Sequence, residues 1–238
     1  MSLTATVGEL VVQRPSRARV FERFGIDYCC GGKLPLADVC RKKGIDPQQV
    51  LAALEQDGAG SPAIDRDWSA ASMAELSAHI EATHHAYLKR EMPRLEYLTG
   101  RVADRHGEQR PELRKVQQIF SAFKAEMDAH MMKEEQVLFP MCRKLDSAQS
   151  PPAFHCGSVR NPVAMMVSEH DHAGEDLRQM RELTGGYIPP GDACNTYRAM
   201  LAGLSELEAD THRHVHLENN ILFPKAIAAE ARLTGCGA

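Results

Sequence analysis

The stretch His130-Met-Met-Lys-Glu134-Glu-Gln-Val-Leu-Phe-Pro140 recurs later in the chain as His214-Val-His-Leu-Glu218-Asn-Asn-Ile-Leu-Phe-Pro224. In each copy a histidine precedes a glutamate by four residues, and Leu-Phe-Pro follows the glutamate at the same offset. Four residues are slightly more than one turn of an α-helix, so each histidine and its glutamate share one helix face. The repeat therefore predicts two helices that each present one imidazole and one carboxylate in the same direction.

Apolar residues share the face of each His/Glu pair, which predicts that both pairs point into a core. A buried carboxylate is costly unless a partner offsets its desolvation, and a metal ion would be such a partner. A single His-x-x-x-Glu pattern on a helix is usually an ordinary surface pair, but two core-facing copies within a longer repeat favour a metal site. The apolar neighbours are Phe123, Met127, Val137, Leu138 and Met141 in the first copy, and Leu204, Leu207, Leu217 and Ile221 in the second.

The sequence around the repeat predicts an all-α fold. Ser72-Met-Ala-Glu75 is a capping-box pattern that begins a helix, and Pro93 is expected to kink that helix. Four long amphipathic helices with connections of modest length predict an up-down-up-down four-helix bundle within residues 68–238. No alternating pattern typical of strands stands out. The predicted helices span about 72–98, 111–145, 162–183 and 193–231.

Residues 1–57 predict a separate small helical domain, and the Gly-, Ser- and Pro-containing stretch 58–67 predicts a linker. Gly25 fits the left-handed position that ends the second short helix. The turn Ile26-Asp27-Tyr28-Cys29-Cys30-Gly31-Gly32 follows and places two adjacent thiols beside two glycines. Because Cys29 and Cys30 belong to no apolar pattern, we interpret them as a redox or metal-transfer element.

Two histidines and two carboxylates are too few ligands for a site that holds two metal ions. His170, on the third long helix, precedes His214 by 44 residues, and a similar distance before His130 leads to His85 on the first long helix. His84 competes with His85, and the apolar stripe does not decide between them. The repeat offset favours His85.

Two further histidines, one just before the second copy and one within it, are expected to lie outside the metal site. His212 and His216 are about 200° around the helix from His214. They share that face with Glu208, so we predict that they face solvent.

Three polar residues adjoin the predicted ligands in sequence. Glu135 follows Glu134 but is turned off the core face, so it is not expected to be a ligand. Glu169, which precedes His170, and His84 are candidates to support a ligand from outside the metal's own coordination sphere.

The ligand types narrow the choice of metal. Four imidazoles and two carboxylates suit iron, zinc, copper or manganese better than calcium or magnesium. Carboxylates from two facing helices can bridge two ions and leave open positions, unlike a closed tetrahedral structural zinc site. This donor set favours a redox-active or small-molecule-binding di-iron centre.

The composition argues against several classes of protein. The 238 residues carry a net charge of −4 with both signs interspersed and no nucleic-acid-reading motif, so neither DNA nor RNA is an expected partner. No apolar run is long enough for a transmembrane helix and no secretory signal is visible, so a cytoplasmic protein without membrane association is expected. The seven cysteines are irregularly spaced and include no Cys-x-x-Cys pair, which argues against a disulfide framework or a zinc ribbon.

Three stretches resemble a known family. The segment Gly25-Ile-Asp-Tyr-Cys29-Cys30-Gly-Gly32 and the two Leu-Phe-Pro repeats are similar to the iron–sulfur cluster repair di-iron (RIC) family, and the Ser-Glu-His170-Asp segment agrees. That family joins an N-terminal CCGG domain to a hemerythrin-like four-helix bundle. The resemblance covers nearly the full length of the chain.

The resemblance implies a non-haem centre of two iron ions with oxo and carboxylate bridges. It selects His85 over His84. The chain departs from the family at His84, where an aromatic residue is common, and at Met92, where leucine is common. A histidine at position 84 could alter the groups that support the ligands. The implied terminal ligands are His85, His130, His170 and His214, and the implied bridges are Glu134 and Glu218.

The resemblance also implies a function, the repair of iron–sulfur clusters damaged by nitric oxide or peroxide. The iron would be delivered to damaged or apo iron–sulfur proteins, with Cys29 and Cys30 assisting its transfer. Alternatives are reduction or scavenging of nitric oxide with electrons from a partner, an oxygen or nitric oxide carrier or sensor, and a structural zinc bundle. The sequence assigns no catalytic residue and leaves the oligomeric state open, a homodimer included.

Overall fold

The computed structural model describes residues 2–56 and 66–235. The all-α prediction is confirmed, because in these two ranges the regular structure is helical and β pairing is limited to isolated bridges. The predicted linker 58–67 lies outside the described residues except for Arg66 and Asp67. Within the described residues the chain forms two compact units, one drawn from 2–56, 66–77, 142–160 and 212–235 and the other from 78–141 and 161–211.

The first unit contains four short N-terminal helices around a core of their own. Phe21, Leu36 and Leu54 are completely buried in it. Gly25 ends the second helix at a φ of 61°, the left-handed conformation that its position predicts. The helices are α1 (Val7–Gln13), α2 (Arg17–Arg23), α3 (Leu36–Lys43) and α4 (Pro47–Gln56).

The remaining helices include four of more than 20 residues, and they follow the predicted order. Pro93 lies inside a helix that continues well past the predicted end near residue 98. No helix within residues 2–56 and 66–235 combines the length and the apolarity needed to cross a membrane. The helices are α5 (Met73–Ile80), α6 (Ala86–His106), α7 (Glu112–Lys133), α8 (Phe139–Ser147), α9 (Arg160–Leu183), α10 (Asn195–Leu217) and α11 (Phe223–Thr234).

The second unit is a helical bundle whose core takes side chains from α6, α7, α9 and α10. Each large apolar side chain that is fully buried contributes about 1.5–3 kcal/mol relative to an exposed one. Met127 and Met131 of this core lie close to His130 along α7, and Ala173 follows His170 by three residues on α9. Members of the core include Leu88, Met92, Leu95, Val116, Phe120, Phe123, Met127, Leu177, Met180, Leu201 and Leu204.

The contact between α6 and α10 depends on a glycine. A Cβ atom at Gly203 would come within 2.6 Å of Leu95 Cδ2. Leu95 is completely buried, so it cannot move aside without disturbing its neighbours. Gly203→Ala is therefore expected to lower the free energy of unfolding by about 1–3 kcal/mol, as measured by chemical denaturation.

Gly100→Ala on α6 is the matched control. The nearest atom to a Cβ at that position is Gln117 Nε2 at 3.6 Å, an ordinary contact. Since alanine is the better helix former, this change is expected to raise the free energy of unfolding by about 0.5–1 kcal/mol. Equal losses in the two variants would contradict the close approach of α6 and α10.

Candidate metal centre

Three π-helical turns lie along the long helices, and each includes a predicted metal ligand. They span Glu81–His85, Glu134–Leu138 and Glu218–Leu222. Single π-turns within α-helices are frequent at functional sites. In each turn a backbone N–H donates to the carbonyl five residues earlier: Ala86 to Glu81, Phe139 to Glu134 and Phe223 to Glu218.

Pro140 and Pro224 explain two of these turns. Proline has no N–H, and its ring clashes with the carbonyl four residues earlier in a regular α-helix. A widened turn before the proline relieves that clash. The repeated Leu-Phe-Pro therefore sets a π-turn that begins at Glu134 and another that begins at Glu218. No proline lies at the corresponding position after Glu81, and nothing in the sequence explains that turn.

Four of the predicted ligands lie together in the second unit. Glu134 Oε2 is 3.3 Å from His85 Nε2 and 3.2 Å from His130 Nε2. His170 Nε2 lies 3.2 Å from His130 Nε2. All four side chains are buried, and Glu134 is completely inaccessible to solvent. One ligand atom each from His130, Glu134 and His170 fall within 4.8 Å of one another, which is close enough for a single ion.

The other two predicted ligands form a pair in the first unit. His214 Nε2 lies 3.0 Å from Glu218 Oε1, and both side chains are fully buried. The pair spans the junction of α10 with the π-turn that begins at Glu218. The four-residue spacing thus places imidazole beside carboxylate here, as it does for His130 and Glu134.

Two outer carboxylates orient the imidazoles of the second unit. His85 Nδ1 lies 2.7 Å from Glu135 Oε1, and His130 Nδ1 lies 2.9 Å from Glu169 Oε2. Because a carboxylate only accepts, each Nδ1 carries a proton, and Nε2 is the ring nitrogen that faces Glu134. This is the arrangement that supports metal-binding histidines in known sites.

Lysines keep both outer carboxylates charged. Burial raises the pKa of Glu135, but hydrogen bonds from Lys89 and His85 outweigh that effect and leave the pKa below its usual value. Burial likewise raises the pKa of Glu169, and hydrogen bonds from Lys133 and His130 more than reverse it. Both groups are therefore anionic at neutral pH.

The sequence did not identify Glu135 as part of the site. It is turned off the core face, as its position predicts, yet its carboxylate reaches back to His85. A usable signal was present in the sequence. Lys89 and Lys133 each follow a predicted ligand by about one helical turn, and each meets a glutamate that adjoins another ligand.

We predict that Glu135→Gln and Glu169→Gln each lower metal affinity by about 10–100-fold, because the amide no longer holds the imidazole Nδ1–H as strongly. Isothermal titration of the apoprotein with ferrous iron under nitrogen would measure the change. Glu175→Gln is the matched control, since Glu175 lies on α9 and pairs with exposed Arg178. A fall in affinity of the same size in the control would contradict a role specific to the outer carboxylates.

His84 and His85 face different partners. His84 Nδ1 lies 3.1 Å from both carboxylate oxygens of Asp210, and its ring meets His79 edge-on at 5.9 Å. Only His85 of the two neighbours lies beside Glu134. His84 is thus buried next to a candidate ligand in sequence while its Nδ1 is directed to another carboxylate.

The prediction that His212 and His216 face solvent is wrong for His216, which is only 4% exposed. Its Nδ1 lies 3.4 Å from the Tyr28 carbonyl oxygen, and the Tyr28 ring packs against it edge-on. His212, half-buried, also contacts the Tyr28 ring. Burial lowers the pKa of His216 to about 4, although the hydrogen bond with the Tyr28 carbonyl acts to raise it. The His216 imidazole is therefore neutral at neutral pH. Helix geometry alone could not anticipate this cover, because it comes from a turn far away in sequence.

Glu208, assigned to the same solvent face, is also buried. Arg181 Nε lies 2.9 and 3.1 Å from its two carboxylate oxygens. The ion pair explains how this face of α10 can be polar and covered at once.

The donor set fits iron on chemical grounds. Imidazole Nε2 atoms and carboxylate oxygens converge in the interior, and the two Nδ1 protons point away from the convergence. Mixed nitrogen and oxygen donors suit iron, zinc, copper and manganese rather than calcium. The thiols of Cys29 and Cys30 belong to a separate cluster with Asp27.

Comparison with known proteins gives two matching families and close relatives. The hemerythrin HHE cation binding domain matches residues 76–226, and a domain of unknown function, ScdA_N (DUF542), matches residues 3–57. A protein of Enterobacter sp. (strain 638) named iron-sulfur cluster repair protein YtfE is 35% identical over 224 residues, which is 94% of this chain and 97% of the relative. Proteins of the same name from Escherichia coli O157:H7 and Pectobacterium atrosepticum are 35% identical, over 94% of this chain and 97% of their own length.

Proposed function

This chain belongs to the family of iron–sulfur cluster repair proteins that includes YtfE, and we propose that it repairs damaged iron–sulfur clusters by supplying iron from a di-iron centre. The clients would be apo or damaged iron–sulfur proteins. The damage would come from nitrosative or oxidative stress, and the work would take place in the cytoplasm, where thiols stay reduced. The proposed ligands are His85, His130, His170 and His214 with the bridging carboxylates Glu134 and Glu218.

One observation carries the proposal. Two imidazole Nε2 atoms, from His85 and His130, approach one oxygen of the fully buried Glu134 at 3.3 and 3.2 Å. Such a convergence is the expected arrangement of a carboxylate that binds metal between histidine ligands. A carboxylate in this position would be costly without a cation.

The sequence repeat supports including His214 and Glu218 in the same centre. Both His/Glu pairs are buried, and in both the π-turn begins at the glutamate and ends before Phe-Pro. One His/Glu pair lies at the end of α7 and the other at the end of α10. With His85 and His170 added, the two pairs make the donor set of a di-iron bundle.

The protein side chains have distinct roles in this proposal. Glu135 and Glu169 hold the Nδ1 protons of His85 and His130 and so fix which nitrogen faces the metal. The surrounding apolar core keeps bulk water away from Glu134. The iron, when bound, would supply an exchangeable metal store and open positions for nitric oxide or dioxygen species. We assign residues 68–238 to this centre, and residues 1–57 to a CCGG domain whose Cys29 and Cys30 assist iron transfer.

The test is transfer of iron to a client. Protein loaded with ferrous iron is mixed under nitrogen with an apo iron–sulfur protein, sulfide and thiol, and the recovered cluster absorbance is followed. We expect the cluster to form faster than it does when the same amount of ferrous iron is supplied bound to a chelator. A rate no higher than that of the chelated iron would contradict iron supply.

Nitric oxide reduction is the competing function. The same loaded protein is given nitric oxide and excess reductant, and nitrous oxide is measured. Many turnovers per chain would favour an enzyme that reduces nitric oxide over a protein that supplies iron. One turnover or fewer would support the supply of iron.

A further inference from the structure

The turn that carries the two adjacent cysteines is organised by one carboxylate. Asp27 Oδ1 accepts the backbone N–H groups of Cys29 at 2.9 Å and Cys30 at 3.0 Å, and Oδ2 accepts that of Gly31 at 2.9 Å. Three backbone hydrogen bonds to one side chain fix the turn and hold both cysteines on the side of the carboxylate. The sequence Asp-Tyr-Cys-Cys-Gly-Gly therefore forms a turn whose backbone is held by hydrogen bonds to the Asp27 side chain.

The thiols and the carboxylate are close enough to share an ion. Cys29 Sγ donates to Asp27 Oδ1 at 3.1 Å, and one ligand atom from each of Asp27, Cys29 and Cys30 falls within 4.8 Å of the other two. Sulfur and carboxylate donors together suit ferrous iron and zinc, and they suit calcium and magnesium poorly.

The cluster is closed on one side and open on the other. Cys29 is buried, Cys30 is half-exposed and Asp27 is exposed. A structural zinc site is usually enclosed by four protein ligands, whereas three ligands at a surface leave a position for water or for another protein's ligand. The geometry suits a cation that exchanges.

The turn is tied to the helix run that carries two of the proposed iron ligands. Asn220 Nδ2 donates to the carbonyl oxygens of Tyr28 and Cys29, each at 3.3 Å. A Cβ at Gly32 would lie 2.6 Å from Asn220 Oδ1, so only glycine allows this approach. Asn220 lies two residues after Glu218, within the same π-turn.

We propose that Asp27, Cys29 and Cys30 form a second, exchangeable site for a thiophilic divalent cation, separate from the His/Glu centre. The idea that iron binds there transiently on its way to a client protein rests on the proposed function. Binding of the cation by these three residues does not. The site explains why a vicinal cysteine pair follows an aspartate that is held by backbone hydrogen bonds.

Cobalt(II) is the probe, because a thiolate bound to cobalt gives an intense near-ultraviolet charge-transfer band that nitrogen and oxygen ligands do not give. The full-length apoprotein is titrated with cobalt(II) under nitrogen. We expect a sulfur–cobalt band, at least tenfold weaker in Cys30→Ser and absent when Cys29→Ser is added. Asp27→Asn is expected to lower the cobalt affinity measured at this band about tenfold. Asp38→Asn, which changes a half-exposed aspartate on α3 paired with Arg41, should leave that affinity unchanged.

The outcomes separate this site from the proposed function. No sulfur–cobalt band in the wild type, or a band that persists without both cysteines, would overturn the site. An Asp27→Asn titration identical to that of the wild type would overturn the assignment of Asp27. Ferrous iron retained at the His/Glu centre in every variant shows that the fold is intact. A band that appears although wild-type protein fails to transfer iron would uphold the site and count only against its use in repair.

Discussion

Glu134→Gln is expected to remove most of the bound iron while leaving the fold intact. The amide has nearly the shape of the carboxylate, so the packing around position 134 is kept. It lacks the negative charge and the second strong acceptor that a bridging ligand provides. We expect iron per chain, measured by plasma emission after anaerobic purification, to fall at least tenfold relative to the wild type.

Although Glu134→Gln should lower iron binding, it should not lower the thermal stability of the metal-free protein. A fully buried carboxylate is costly in the apoprotein, so the neutral amide is expected to unfold at an equal or higher temperature without metal. Added ferrous iron should raise the melting temperature of the wild type, since a ligand that binds only the folded state stabilises it, but should not raise that of Glu134→Gln. Glu126→Gln, at an exposed position of the same helix, is the control and should behave as the wild type. Full iron loading of Glu134→Gln would contradict the assigned role of Glu134.

Replacing both Cys29 and Cys30 is expected to slow iron transfer without reducing the amount of iron that the protein holds. The variant Cys29→Ser/Cys30→Ser should retain its iron, because neither thiol is among the proposed ligands of the di-iron centre. Transfer to an apo iron–sulfur protein should slow at least about tenfold, which corresponds to about 1.4 kcal/mol in the barrier. The rate of cluster formation in the client, measured with equal loaded iron, checks the expectation.

Cys194→Ser is the control for this experiment, since Cys194 is an exposed thiol outside the turn. It should transfer iron at the wild-type rate. Equal rates for the wild type and the double variant would remove Cys29 and Cys30 from the transfer of iron.

The sequence predicted the parts of the fold that depend on local periodicity. The His-x-x-x-Glu spacing and the apolar stripe around it place His130 beside Glu134 and His214 beside Glu218, and the structure has both contacts. These predictions succeed because residues four apart on a helix are neighbours whatever surrounds them. The all-α class follows from the same periodicity.

Features that depend on packing between distant segments could not be read in the same way. His216 is buried because the Tyr28 turn covers it, and Glu135 reaches His85 because α6 and α7 lie side by side. The choice between His84 and His85 was open for the same reason, since neighbouring residues on a helix can both be buried against different partners. The π-turn at Glu134 could have been inferred from Pro140, which cannot continue a regular turn.

The most direct test of the di-iron centre is metal analysis combined with Mössbauer spectroscopy of the full-length wild-type protein, purified without oxygen and loaded with iron-57. We expect two iron ions per chain, both high-spin and in nitrogen and oxygen coordination, with magnetic coupling between them after oxidation. A single uncoupled iron per chain, or a site that takes up zinc and excludes iron, would contradict it.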